Sequence, residues 1–338
     1  IQARFYADKS LNLLPSDAPA LIRATVLNNL GNVLTVEAYY ANAVKTYANA
    51  VELAQLAGNV LLSGRILINM AYAYSKKGQW NTALQILSSA QQQFQSLAPS
   101  YAKTFGLISV GELALRFLRL KPPDKDLNFK IQSFAYKTLN TVITLAKNLD
   151  NPRLISYSYG FLGHLYETQQ RYEEALNLTR QAIFYAKLDN TSFFTQQDQA
   201  SEILYRWQWQ LGRLFKALKQ TNEAIEALKD AVISLQPIRF EMATGYRRTE
   251  QSFRERVGPV YFELADLLLQ RAEKNHAQNH TQKRHDLIQT FDTIERFKTA
   301  ELQDYFQDDC VIKAQLKQTS LLNELAPNTA VIYPILLP

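Results

Sequence analysis

The chain has 338 residues, a formal net charge of +6 and 47% hydrophobic residues, and with only 11 Gly and 11 Pro it has the makings of a large buried core rather than a disordered segment. Its pI near 9.1 comes from Lys and Arg dispersed among Asp and Glu, not blocked, which argues against a nucleic-acid or anionic-membrane footprint. One cysteine, Cys310, excludes an internal disulfide framework and fits a reducing, cytoplasmic setting, and no apolar run reaches the roughly 18 residues of a membrane span.

The chain starts at Ile1 with no basic-then-apolar leader, so the expectation is a fragment that begins inside an array. Ala3, Ala7 and Ser10 lie at i, i+4 and i+7 before Pro15, the pattern of a second helix whose partner lies upstream. Residues 1–23 are read as that truncated repeat. A spacing then recurs: Gly31 leads to Leu34, Ala43 and Ala50, and Ala71 to Tyr74, Ala83 and Ala90. Gly163 leads to Tyr166, Ala175 and Ala182, and Gly212 to Phe215, Ala224 and Ala231. Small residues mark close helix crossings, and large ones such as Leu162, Tyr166 and Tyr172 fill the space beside them. Four copies of one spacing make an internal repeat, at 24–57, 64–97, 156–189 and 205–238. Trp80, just after a turn at Gly78, reads as core. A degenerate copy starts near 104, with Gly111 forty residues after Ala71. Its second-helix pair, Ala135 and Val142, comes twelve residues late, and KPPDKD at 121–126 predicts an inserted exposed loop.

This signature of an aromatic, Leu-Gly, Tyr, Ala and Ala resembles the tetratricopeptide repeat (TPR). The resemblance covers 24–238 as about five repeats. It implies an all-α, right-handed superhelical solenoid of antiparallel helix pairs, whose first helices line a concave groove for a peptide or protein partner. Asn28, Asn29 and Asn32 crowd the first of those helices although Asn is a poor helix former. Either they hydrogen-bond the backbone of a bound peptide, or one bonds a neighbouring helix while the others face water. Tyr72 and His164 hold corresponding positions in later repeats. In the last repeat Arg206, Trp209, Arg213 and Lys216 fall on one face at spacings of 3, 4 and 3. They would suit a carboxylate or acidic peptide with an apolar anchor, or else form a solvated basic face with Trp209 packed on the next repeat.

Residues 239–306 read as a charged helix over 239–259 and a terminal hairpin. Arg247, Arg248, Arg254 and Arg256 alternate there with Glu241, Glu250 and Glu255, the pattern of a solvated face. His276, His280 and His285 lie in a polar stretch with only Asp286 nearby, so no metal is expected. Residues 307–338 are read as a linker and a first strand, because AVIYPILLP at 330–338 is β-branched and apolar. A lone strand needs partners, which would lie in a downstream domain.

The segment ERFKTAELQDYFQDD at 295–309, with TAVIYPILLP at 329–338, resembles the CHAT family, caspase-like domains found after TPR arrays in bacteria. That family uses a His–Cys dyad in an α/β fold, and nothing in this chain matches the dyad. Cys310 follows Asp308 and Asp309, whose charge disfavours a thiolate. The chain is therefore expected to carry no catalytic residues and no cofactor. The resemblance implies a substrate-recruiting or regulatory arm, with an intramolecular contact to the downstream CHAT domain. The alternatives are a stand-alone adaptor or a nucleic-acid-binding solenoid, and exposed repeat ends could give a homodimer.

Overall fold

The computed structural model describes residues 2–15, 17–189, 197–246, 253–274 and 280–306. Every regular element among them is a helix, and the protein is an all-α helical repeat. The chain divides into two compact units, 1–195 and 196–338. Residues 307–338, with Cys310 and the expected strand, lie outside the described residues, as does His276.

The first unit holds α1 (Gln2–Asn12), α2 (Ala20–Val36), α3 (Tyr40–Leu56), α4 (Val60–Lys76), α5 (Trp80–Ser96), α6 (Tyr101–Arg119), α7 (Lys125–Asn148), α8 (Pro152–Thr168) and α9 (Tyr172–Asp189). Helices α2 to α5 are each 17 residues long. They begin at 20, 40, 60 and 80, which is why small residues recur every forty positions. The turns are built alike. Ala38, Gly58, Gly78, Asp150 and Gln170 all have positive φ, between 45° and 74°. The next residue's N–H then reaches a carbonyl five positions back, as from Tyr39 to Leu34 at 2.8 Å and from Arg171 to Tyr166 at 3.0 Å. This satisfies carbonyls that a helix end otherwise leaves bare. Asn59, Ser100 and Asn151 cap the following helices, each accepting the N–H three residues on. Pro152 sits at the start of α8, where its missing N–H has no cost.

The recurring small residues mark close crossings. Gly31 faces the ring of Tyr47, and Gly111 faces Leu139. Phe94 of α5, with no exposure, lies against Gly64 of α4 and Gly106 of α6, so a methyl at Gly106 would meet its ring at 2.5 Å. Trp80 packs edge-on to the buried Phe117 at 5.9 Å.

The inserted residues at 121–126 are not all loop. The connection after α6 spans only 120–124, while Lys125 and Asp126 open α7, capped by Asp124 at 3.0 Å. Most of the added length is helix, since α7 has 24 residues against 17 in α3 and α5. Pro122 and Pro123 keep the chain out of helix only until Asp124 can cap one.

The second unit holds α10 (Gln197–Ala217), α11 (Thr221–Tyr246), α12 (Phe253–Arg256), α13 (Gly258–Lys274) and α14 (His280–Phe306). The turn between α10 and α11 repeats the earlier design, with Lys219 at φ 62° and Gln220 N–H bonded to Phe215 O at 2.9 Å. The charged stretch 239–259 is helical at nearly every described position. Residues 239–246 continue α11, which runs through Pro237, and only α12 and the start of α13 fall in the rest of the described span. A proline removes one helix donor without abolishing its neighbours' bonds. Helices α13 and α14 form the hairpin. Asp286, fully buried, accepts Arg271 Nη2 at 2.7 Å and Nε at 3.0 Å, and Gln282 Nε2 at 2.9 Å. Arg271 also donates to Asn222 Oδ1 at 2.8 Å, tying α13 to α11. No helix among the described residues is long and apolar enough to cross a membrane, and no group of His, Cys, Asp and Glu there could hold a metal.

Candidate binding face

In the first unit, successive first helices α2, α4, α6 and α8 lie side by side, and their side chains bond across the seams. Asn69 Nδ2 of α4 donates to Asn28 Oδ1 of α2 at 3.0 Å. Arg116 of α6 donates to the Tyr72 hydroxyl of α4 at 2.7 Å, with its guanidinium 4.0 Å from the ring centroid. Asn32, one residue after Gly31, accepts the Tyr47 hydroxyl at 2.8 Å. Burial pushes the Tyr47 phenol up to about 12, moderated by its hydrogen bond to Thr35. His164, one residue after Gly163, has Nδ1 2.9 Å from Glu167 Oε2 on its own helix. Asn28 and Asn32 spend their amide oxygens inside the protein and leave Nδ2 without an acceptor among the described residues.

The same helices carry an aromatic row. Tyr101 and Phe105 of α6 stack at 5.9 Å, Phe105 meets Tyr157 of α8 edge-on at 6.2 Å, and Tyr157 stacks on Phe161 at 6.0 Å. The Arg153 guanidinium lies 6.0 Å from the Tyr157 centroid. Tyr157 and Phe161 are buried, whereas Tyr101 is 46% and Phe105 37% exposed. This row is absent from the sequence-derived candidates, yet a signal for it exists. Phe105 and Tyr157 stand six residues before Gly111 and Gly163, the offset that Arg206 holds before Gly212.

In the second unit, α10 carries the four candidates and α13 answers two of them. Trp209 Nε1 donates to Glu263 Oε2 at 3.0 Å, and Lys216 Nζ lies 3.1 Å from Asp266 Oδ2. Arg213 places its guanidinium 4.8 Å from the Trp209 ring centroid, and Arg206 lies 3.6 Å from Glu202 on its own helix. The carboxylates that these residues were expected to take from a ligand are thus supplied in part by the protein. Trp209 thus reaches α13 through its indole N–H.

Two stretches of the chain, 158–192 and 207–232, match models of the tetratricopeptide repeat. No curated protein matches the chain. Among solved structures, it is similar to BtubC (BKLC) from P. vanneervenii, at 10% identity and a TM-score of 0.50, over 88% of this chain and 98% of that one. It is also similar to a Rap protein complexed with competence and sporulation factor (13% identity, TM-score 0.47, 87% and 81% covered). The apo form of RapI gives 10% identity and a TM-score of 0.48, with 88% and 81% covered. At such identities the likeness to BtubC speaks to the helical-repeat fold alone.

Proposed function

We propose that this chain is a protein-interaction module and that the first helices of its first unit receive a peptide or protein segment. The observation that carries the reading is the aromatic row of α6 and α8, stacked into a fixed platform with Tyr101 and Phe105 left in solvent. Exposed aromatics on a rigid, well-packed base are what interface hot spots are made of. An apolar side chain of the partner would rest on Phe105 and Tyr101. The amide N–H groups of Asn28 and Asn32 would take carbonyls of its backbone, a mode in which polar groups fix an extended segment. The α10 face, with Arg206, Trp209, Arg213 and Lys216, would add affinity only for a partner able to displace or share Glu263 and Asp266. Those internal carboxylates also make that face less suited to a nucleic acid.

We extend this, on the resemblance of 295–309 and 329–338 to CHAT proteins, to a recruiting or regulatory arm of a bacterial caspase-like peptidase, itself without catalytic groups and working in the cytoplasm. Reading the coding sequence past Pro338 tests the extension: a following α/β domain with a His and a Cys supports it, and a stop codon there removes it.

The binding face is tested by selecting a displayed random-peptide library on the whole chain and measuring affinity by fluorescence anisotropy. Tyr101→Ala with Phe105→Ala should weaken the recovered peptides by about tenfold or more. Phe129→Ala, at an exposed aromatic of α7, should leave them unchanged. Peptides that ignore the double substitution would remove the platform from the site.

A further inference from the structure

A cleft of about 240 Å³ opens in the second unit between α11 and α14, over α13. It is independent of the face described above. Its floor is aliphatic: Val232, Leu264 and Leu268 are buried there, and Ile233 forms a wall that is 59% exposed. Its rim is polar, and the polar groups are incompletely used. Gln289 Oε1 is buried with no hydrogen-bond partner. Asp292 and Arg296, one helical turn apart on α14, have no hydrogen bond or ion pair among the described residues. Lys229, across the cleft on α11, holds Glu226, a neighbour that is itself largely in solvent, at 2.9 Å, and no other partner among the described residues.

These features narrow the occupant. The volume falls below the roughly 300 Å³ at which drug-sized pockets begin, so the ligand is small. The floor selects an aliphatic group. A buried acceptor and an unpaired carboxylate both want a donor, and a cation fits them best. An unpaired guanidinium with a lysine opposite wants an anion, which a carboxylate meets in bidentate fashion. One molecule carrying both charges beside a branched aliphatic chain answers every one of these groups.

We propose that this cleft is a binding site for a free aliphatic α-amino acid of leucine size. The ammonium group donates to Asp292 and, once the Gln289 side chain turns toward the cleft, to its Oε1; the carboxylate accepts from Arg296 and Lys229, and the side chain lies on Val232, Leu264 and Leu268. The site bridges α11 and α14, so occupancy fastens the second unit's last helix to the pair before it. Binding to the folded state alone stabilises that state by mass action.

The test is a titration of the whole chain, methyl-labelled at Ile and Leu, with L-leucine, followed by NMR. Saturable shifts of the Ile233, Leu264 and Leu268 methyls are expected, in the range of roughly 0.1–1 mM. Leucinamide lacks the anion and N-acetyl-leucine the cation, and each should bind at least about tenfold more weakly. Asp292→Asn and Arg296→Gln change exposed positions, and each should weaken leucine by a similar factor while the remaining methyl spectrum stays in place. The absence of saturable shifts in the wild-type chain would overturn the proposal. So would equal binding of 4-methylpentanoate, which keeps the carboxylate and lacks the ammonium and would leave Asp292 and Gln289 without a use.

Discussion

The two units bury polar groups in different ways. In the first, the buried polar side chains are hydroxyls, and most bond within their own helix: Thr35, Ser75, Thr104, Ser158 and Thr179 each donate to a carbonyl three or four residues back. In the second, Asp286, Gln208 and Gln210 are buried. Asp286 joins α14 to α13, and the Gln208 amide, turned to suit its neighbours, donates from α10 to Ser234 Oγ of α11 at 2.7 Å. The accessible faces differ in the same sense. The first unit leaves aromatic rings and spare amide N–H groups on its first helices, while the second pairs α10 with the acids of α13. A repeat offset therefore decides which face a side chain takes, and the neighbouring helix decides whether that side chain remains available.

The most severe way to break this contrast is to remove the buried carboxylate. Asp286→Ala leaves Arg271, which is 18% exposed, without its counter-charge, and stranding one partner of a buried pair costs about 3–5 kcal/mol. The loss should appear in urea unfolding and, by amide exchange, as lost protection in α13 and α14 with α2 to α5 unaffected. Equal loss in both units would show that they do not divide the stability as described.

The first unit has a titrating counterpart in Tyr47. Its folded-state phenol stands at about 12, against 10.0 for the free side chain. As the pH rises, the unfolded chain gives up this proton first. The contribution is whole below about pH 10 and drains away as the pH climbs to about 12, at most about 2–3 kcal/mol. Tyr47→Phe should flatten that part of the alkaline stability curve and cost about 1 kcal/mol at neutral pH through the lost bond to Asn32. Denaturant midpoints of both chains across the interval measure it. An unchanged slope in Tyr47→Phe would assign the alkaline loss to other groups.

A smaller effect decides whether α10 is closed to ligands. A double-mutant cycle with Trp209→Phe and Glu263→Gln should give a coupling of about 0.5–1 kcal/mol, since the bond is charge-assisted and part-buried. Lys216 and Asp266, at 43% and 31% exposure, should couple by less than about 0.5 kcal/mol. Zero coupling at Trp209 would return the α10 face to the list of open surfaces and erase the difference between the units.

The fold was legible in the sequence because close helix crossings tolerate only small residues, and helices of equal length place those residues at equal intervals. The face of α10 was legible for the same reason. Its partners were not: Glu263 and Asp266 lie 54 and 50 residues downstream of the groups they hold, beyond connections to which the repeat gives no fixed length. The aromatic row was missed because Tyr101 and Phe105 open the repeat whose insertion hides its pattern. That insertion reads as loop from its prolines, although most of it extends α7, where apolar residues such as Leu127 and Ile131 are buried. For the eight proposed ligand residues the sequence supplies the helix and the face. Whether each is free depends on side chains in the next pair.

The smallest effect concerns a feature the units share. Gln170 in the first and Lys219 in the second hold the left-handed turn position at φ 60° and 62°, where Gly58 and Gly78 stand in other turns. A side chain in that conformation costs roughly 1–2 kcal/mol. Glycine removes this strain but gives back about 0.5–1 kcal/mol through the freedom it gains in the unfolded chain. Gln170→Gly and Lys219→Gly should therefore each stabilise by a few tenths to about 1 kcal/mol, seen as a raised denaturant midpoint at constant m. Gly78→Ala should lose about as much. If the turns are equivalent, the two gains match, because the bond pattern closing each turn is the same. A gain at Gln170 with none at Lys219 would mean that the units differ even in their turns, and the contrast drawn from their buried polar groups would extend to the backbone.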